Sequence, residues 1–329
     1  MCTMTILRRN LTGMLLGGVH RFWAPASHPQ IYSAIILSKG AATYVTRVTP
    51  QGESSESTQS SSSSSDASFN EHSNSDKTER STYDEEEVAK FRYMSDSWWD
   101  INGDCKPLHS LNRLRVSLMR EGLVQCGTAK MEYVSGPQPL TGLRILDVGS
   151  GGGILCEPLA RLGAKVVGLD AAEENVNVAQ LHAEQDPRVQ HNVQYVCGTV
   201  EEHAEVAKDQ YDAVVASEVL EHVNHPDLFI QTCAQIIKPG GSIFLTTLNK
   251  TVGAWVGAVA IAEYALHLLP PGTHDWNKFV PRQELLFILE KSGFVTRMVH
   301  GMAYNPLSNQ WCWIPNTAIN YAVHAIKES

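Results

Sequence analysis

The chain has 329 residues, 43% of them hydrophobic, enough to bury the core of one large domain or two small ones. Its formal net charge of −9 opposes a nucleic-acid-binding role, which needs a basic footprint. The seven cysteines are scattered, odd in number and without a Cys-x-x-Cys pair, so they indicate neither a disulfide framework nor a zinc knuckle and suit a reducing compartment.

Residues 1–52 contain no Asp or Glu and carry Arg8, Arg9, Arg21, Lys39 and Arg47 among apolar and hydroxyl residues. This is the composition of a mitochondrial transit peptide. The apolar run from Met14 to Val19 is brief and flanked by arginines, which speaks against a secretory signal. Residues 53–81 are dominated by Ser, and only Phe69 offers much to a core, so a disordered linker is expected. Residues 82–329 are expected to form the folded domain. Thr82 to Glu85 reads as a capping box, followed by Val88, Phe91 and Met94 at helical spacing. Trp98 and Trp99 come next, then a helix around Leu111 to Leu123, within an N-terminal helical region over 82–142.

From Leu143 strands and helices alternate. Strands are predicted at Arg144 to Val148, Lys165 to Asp170, Val193 to Cys197, Asp212 to Ala216 and Ser242 to Thr247, with helices at Ile154 to Leu162 and Glu173 to His182. Short connections between them imply an α/β fold, a mostly parallel sheet with helices on both faces. The tail from Glu284 reads as a helix and two more strands, Thr296 to Val299 and Ala318 to Ala325.

The first strand runs into Asp147-Val-Gly149-Ser-Gly151-Gly-Gly153. Glycines here let backbone turn tightly and approach a ligand. A dinucleotide site has G-x-G-x-x-G, but Ile154 stands at the third position, which opposes a nucleotide-dependent oxidoreductase. Asp170 closes the second strand, where a carboxylate can accept both ribose hydroxyls. Taken singly, the glycines are a turn and Asp170 is a helix N-cap. At the ends of successive strands the pair favours a nucleoside cofactor.

The glycine pattern resembles the first motif of class I S-adenosylmethionine-dependent methyltransferases, and Lys238-Pro-Gly-Gly241 resembles their turn before the fifth strand. The ordered set Trp98-Trp-Asp, Lys106-Pro-Leu-His, Leu111-Asn-Arg-Leu-Arg115, Glu201-Glu-His203, Glu218-Val-Leu-Glu-His222, Gly272-Thr-His-Asp275 and Tyr304-Asn-Pro306 is similar to the ubiquinone biosynthesis O-methyltransferase family, from about Val88 to the C-terminus. The resemblance implies a Rossmann-like central sheet of seven strands with an antiparallel C-terminal strand. It implies O-methylation of ring hydroxyls on polyprenyl dihydroxybenzoate and demethylubiquinol intermediates of coenzyme Q. It places the cofactor against Arg115, Gly149, Asp170 and Ser217, although by the residues alone Arg115 is a surface helix arginine.

Methyl transfer to a phenol requires loss of a proton with pKa near 10 and in-line alignment. Glu218, Glu221 and His222 share one face if helical, and can hold Mg²⁺, as the resemblance implies; zinc or manganese suits the imidazole better. The same segment in metal-free relatives of the fold caps a helix and lines the pocket. His274 and Tyr304 belong to the family pattern, and neither is assigned as general base.

The segment 251–271 is apolar apart from Glu263 and His267. A mid-segment carboxylate opposes a membrane span, leaving a buried lid or an interfacial helix. The interfacial helix suits the polyprenylated substrate that the resemblance implies, and with it a peripheral position on the matrix side of the mitochondrial inner membrane is expected, with lipid and other coenzyme Q proteins as partners. The competing readings are a quinone-ring C-methyltransferase and a non-catalytic cofactor-binding scaffold in the same assembly.

Overall fold

A computed structural model describes residues 81–92, 94–251 and 278–329. The expected transit peptide, most of the expected linker and apolar segment, and His274 lie outside these residues.

Helix α1 (Glu85–Arg92) opens the described chain. The cap is Asp84, whose Oδ1 accepts from the backbone N–H groups of Glu86 and Glu87 at 3.1 and 3.2 Å. Thr82 is not the cap, as the sequence had suggested; its N–H donates to Glu201 Oε1 at 2.7 Å and ties the segment to a distant helix. Helix α2 (Lys106–Gln125) starts with Pro107 in its first turn, where the missing N–H has no intrahelical role. A short helix, α3 (Met131–Val134), follows.

The alternating region then appears as β1 (Arg144–Val148), α4 (Cys156–Arg161), β2 (Lys165–Asp170), α5 (Glu173–Ala183), β3 (Val193–Cys197), α6 (Val200–Val206), β4 (Tyr211–Ser217), α7 (Pro226–Ile236) and β5 (Ile237–Leu248). Helix α8 (Arg282–Lys291) leads to β6 (Phe294–Asn305), β7 (Gln310–Ile314) and β8 (Asn320–Lys327). Among the described residues these strands form one sheet of order β3-β2-β1-β4-β5-β8-β6-β7. Strands β1 to β5 pair in parallel, and β8, β6 and β7 are antiparallel to their neighbours.

Alternation along the strands divides the core between the faces. Ile145, Val166, Ala213, Val215 and Phe244 pack with α2, α4 and α5, whereas Leu146, Leu169, Val214, Ile243 and Leu245 pack with α6, α7 and α8. The sheet has eight strands rather than the expected seven. The extra one is β7, a five-residue edge strand that pairs with β6 alone and is only half-buried. Its hairpin turns at Asn309, whose φ of 48° is left-handed, so the two-strand tail of the sequence reading is in fact three strands.

The chain runs from β1 outward to β2 and β3, then crosses back to β4 on β1's other side. Parallel open sheets bind ligands at this reversal, beyond the strands' carboxyl ends. The glycine loop, Asp170 and Ser217 all sit there.

Candidate active site

The loop after β1 is held on its second strand: the N–H groups of Gly149 and Ser150 donate to Leu169 O at 2.8 and 3.0 Å. Gly151 has φ 52°, a left-handed conformation that favours glycine, and its N–H donates to Asp170 Oδ2 at 2.8 Å. The other carboxylate oxygen accepts from Ala172 N at 3.0 Å and from Asn175 Nδ2 at 3.1 Å. The reading of Asp170 as the N-cap of α5 is corrected: the capping position is Ala172, with no side-chain cap, and Asp170 instead holds the turn before the helix and clamps the loop. Burial raises its pKa, and these three donors counter the rise.

Trp98 covers the loop from the N-terminal side. Its Nε1 donates to Asn175 Oδ1 at 2.8 Å, and the next indole, Trp99, donates to Gly152 O at 2.8 Å while stacking on His182 with ring centres 3.4 Å apart.

Arg115 is only 5% exposed, so its reading as a surface arginine is corrected. From α2 its Nε donates to Asn112 Oδ1 at 2.6 Å and its Nη1 to Ser217 Oγ at 3.1 Å. Burial lowers its pKa, and the carboxylates of Asp147 and Glu218 oppose that. Asp147, at the end of β1, is pushed up to about 6 by burial, against a hydrogen bond from Cys156 Sγ and the charge of Arg115.

The end of β4 departs from the regular helix expected over Glu218 to His222. Glu218 has φ 60°, and only Leu220–His222 forms a single 3₁₀ turn. Thr246 and Thr247, on the adjoining strand, donate to Glu218 Oε1 at 2.7 Å and Glu221 Oε2 at 2.6 Å. The two carboxyls are neighbours: burial, then the charge of Glu221, push Glu218 up to about 7. Among the described residues, buried Glu221 Oε1 has no hydrogen-bond partner. The imidazole of His222 goes elsewhere, its Nδ1 lying 2.9 Å from Glu87 Oε2. Among the described residues no group of three or more His, Cys, Asp or Glu is placed to hold a metal ion. The expected three-residue set is thus corrected to a carboxylate pair with its imidazole engaged by α1, because the backbone there lacks helical i, i+4 geometry.

Arg115, Gly149, Asp170, Ser217, Glu218, Glu221 and His222 line one cavity of about 540 Å³, within the usual range of small-molecule sites. Tyr304 lines it too, with its hydroxyl donating to Asn309 Oδ1 at 3.1 Å. The sequence reading missed Glu87, Asn175, Thr246 and Thr247. Of these, Glu87 carried no signal beyond its place in an acidic first turn.

A glycine loop clamped by an acid across β1 and β2, at the reversal of a mostly parallel sheet, defines a class I S-adenosylmethionine-dependent methyltransferase. A family model described as a methyltransferase domain matches residues 120–298. The fold resembles that of magnesium protoporphyrin IX methyltransferase from Synechocystis with bound SAH, at TM-score 0.52 and 21% identity over 73% of this chain and 99% of that one. Ubiquinone biosynthesis O-methyltransferase from rat, named mitochondrial, is 47% identical over 246 residues, 75% of this chain and 70% of the rat protein. The mouse protein, also named mitochondrial, is 45% identical over 76% of this chain, an alignment that spans 66% of the mouse protein's own length. The protein of that name from Escherichia coli O157:H7 is 43% identical over 73% of this chain and 93% of its own. The chain belongs to the ubiquinone biosynthesis O-methyltransferase family.

Proposed function

We propose that this protein transfers the methyl group of S-adenosylmethionine to a ring hydroxyl of polyprenyl dihydroxybenzoate and demethylubiquinol intermediates in ubiquinone biosynthesis. One observation carries this: a single cavity joins the clamped glycine loop, a carboxyl pair and an apolar wall. The cofactor's ribose hydroxyls suit Asp170, its carboxylate the guanidinium of Arg115, and its amino acid portion the backbone at Gly149 and the hydroxyl of Ser217. The phenol gives its proton to solvent and its oxygen attacks the sulfonium methyl, the new O–C bond forming as the C–S bond breaks and S-adenosylhomocysteine leaves.

Glu218 and Glu221 suit a divalent cation, Mg²⁺ by the family resemblance: two adjacent carboxyls, Glu221 buried and with one oxygen that has no hydrogen-bond partner among the described residues, leave a place for positive charge. His222 is not gathered with them. Such a cation stabilises a phenolate when bound.

Mitochondrial naming of the eukaryotic relatives and the acid-free first 52 residues support a mitochondrial site. Peripheral attachment to the matrix side of the inner membrane, beside other coenzyme Q proteins, suits a polyprenylated substrate; no described helix is long and apolar enough to cross a membrane.

The test is methyl transfer from labelled S-adenosylmethionine to a short-chain prenyl dihydroxybenzoate, with Mg²⁺ and with a chelator. Label on ring oxygen is the expected product, lost in chelator. Label on ring carbon would favour the C-methyltransferase reading, and cofactor binding without label would favour the scaffold.

A further inference from the structure

One wall of the cavity lies outside the residues assigned above to the cofactor and the cation. Met302, Tyr304 and Pro306 of β6 and its turn, with Trp311 and Ile314 of β7, line it, and Leu108 from the start of α2 lines the same cavity. We propose that this β6–β7 hairpin is the recognition surface for the acceptor's prenyl chain, with Trp311 its main specificity-determining residue. The inference rests on the reading of the protein as a methyltransferase of prenylated phenols.

The wall is apolar by construction. Trp311 spends its one donor on Pro107 O at 3.0 Å, and the Tyr304 hydroxyl donates to Asn309. With their polar atoms tied down, the two rings, 5.0 Å apart, offer hydrocarbon to whatever lies against them. No residue of this wall carries a full charge. A polyprenyl chain has no polar atom beyond its ring, so apolar area is the only means of recognising it.

Three features point to a chain that passes through rather than a compact ligand. Tyr304 and Trp311 are both only half-buried, so apolar surface remains to be covered. Pro306 lines the cavity, and the next residue, Leu307, is 98% exposed at the hairpin turn, so apolar surface continues past the cavity. The Trp311–Pro107 bond fixes the hairpin to α2, which holds Arg115 as well, so the wall is rigidly registered to the cofactor end of the site.

The experiment uses the full chain with two acceptors that share one ring, the first without a tail and the second farnesylated. The readout is the preference for the farnesylated acceptor, the ratio of the two kcat/KM values. Trp311→Ala is expected to reduce that ratio roughly tenfold, mainly through KM, and Trp311→Phe to restore most of it. An unchanged ratio in Trp311→Ala, however the absolute rates move, overturns the proposal. A farnesylated phenol bearing a diazirine at its far end gives a second readout without turnover. With S-adenosylhomocysteine present it should label peptides within 302–314; labelling confined to other peptides rejects the hairpin. Wild-type protein that methylates neither acceptor overturns the proposed function, and the photolabel still decides the hairpin.

Discussion

Trp98 lies so close to Gly152 that a β-carbon on that glycine would meet the tryptophan's Cβ and Cγ at 2.5 Å. The pair explains the glycine at the second half of the loop, where space rather than backbone angle is limiting, and it gives the tryptophan pair of the N-terminal region a task. Gly152→Ala should push the indole away from Asn175 and loosen Asp170 behind it. A loss of about 1–3 kcal/mol is expected, near 2–4 °C of Tm per kcal/mol, together with weaker cofactor binding. Adding Trp98→Ala should cost less than the sum of the single changes, because the clash is already gone. Strict additivity in that cycle would refute the contact.

Arg115 and Ser217 meet at 3.1 Å across the floor of the site, joining α2 to the end of β4. A lysine cannot reproduce the fork that reaches Asn112, Ser217 and a cofactor carboxylate together. Arg115→Lys is expected to weaken S-adenosylmethionine binding by roughly ten- to a hundredfold. Calorimetric titration measures this directly, and a change within about twofold would remove Arg115 from the cofactor's carboxylate.

The parallel half of the sheet was legible in the sequence because its inner strands, β1 and β4 above all, are almost wholly buried and read as apolar runs bounded by turns. The glycine loop and Asp170 were legible because their spacing follows from strand length. The eighth strand was not: β7 pairs on one side only and its aromatic content has no long alternation. The Glu218–His222 segment misled because i, i+3, i+4 spacing implies a shared face only on an α-helix, and Glu218 takes a left-handed φ instead. Long-range partners such as Glu87 for His222, 135 positions apart, leave no local trace.

Asp147 should make cofactor affinity pH-dependent. Its folded pKa is raised to about 6 by burial, so below that pH the free enzyme holds a proton there. Asp147 lines the cavity, so the positive charge of S-adenosylmethionine bound there should favour its carboxylate, and binding in acid should expel that proton. The Kd is expected to weaken by up to about tenfold per unit as pH falls below 6, and to level off above it. Asp147→Asn should flatten the profile. The same raised pKa makes the carboxyl's contribution to stability greatest when protonated: it is full below the unfolded value near 3.9 and is lost as pH rises through about 6, a change of about 3 kcal/mol. Urea midpoints of the variant should therefore fall less between pH 4 and 7 than those of the wild type.

Glu87 has the opposite sign. Burial pushes its carboxyl up, but hydrogen bonds from His222, Lys90 and Lys278 outweigh that and hold it at about 2. Its contribution to stability is present above the unfolded value near 4.3 and is lost as pH falls through about 2. Lys278 bridges it to Asp84, at 3.2 and 2.7 Å, so one ammonium anchors both the cap and the first turn of α1 beside the cavity. Lys278→Met should bring acid unfolding to higher pH and destabilise the protein by about 1 kcal/mol at neutrality. Because Glu87, Val88 and Phe91 all line the cavity, a loosened α1 should also raise KM for the acceptor more than it lowers kcat. Unchanged acid unfolding in that variant would show that Lys278 does not hold α1, leaving His222 and Lys90 as the partners of Glu87.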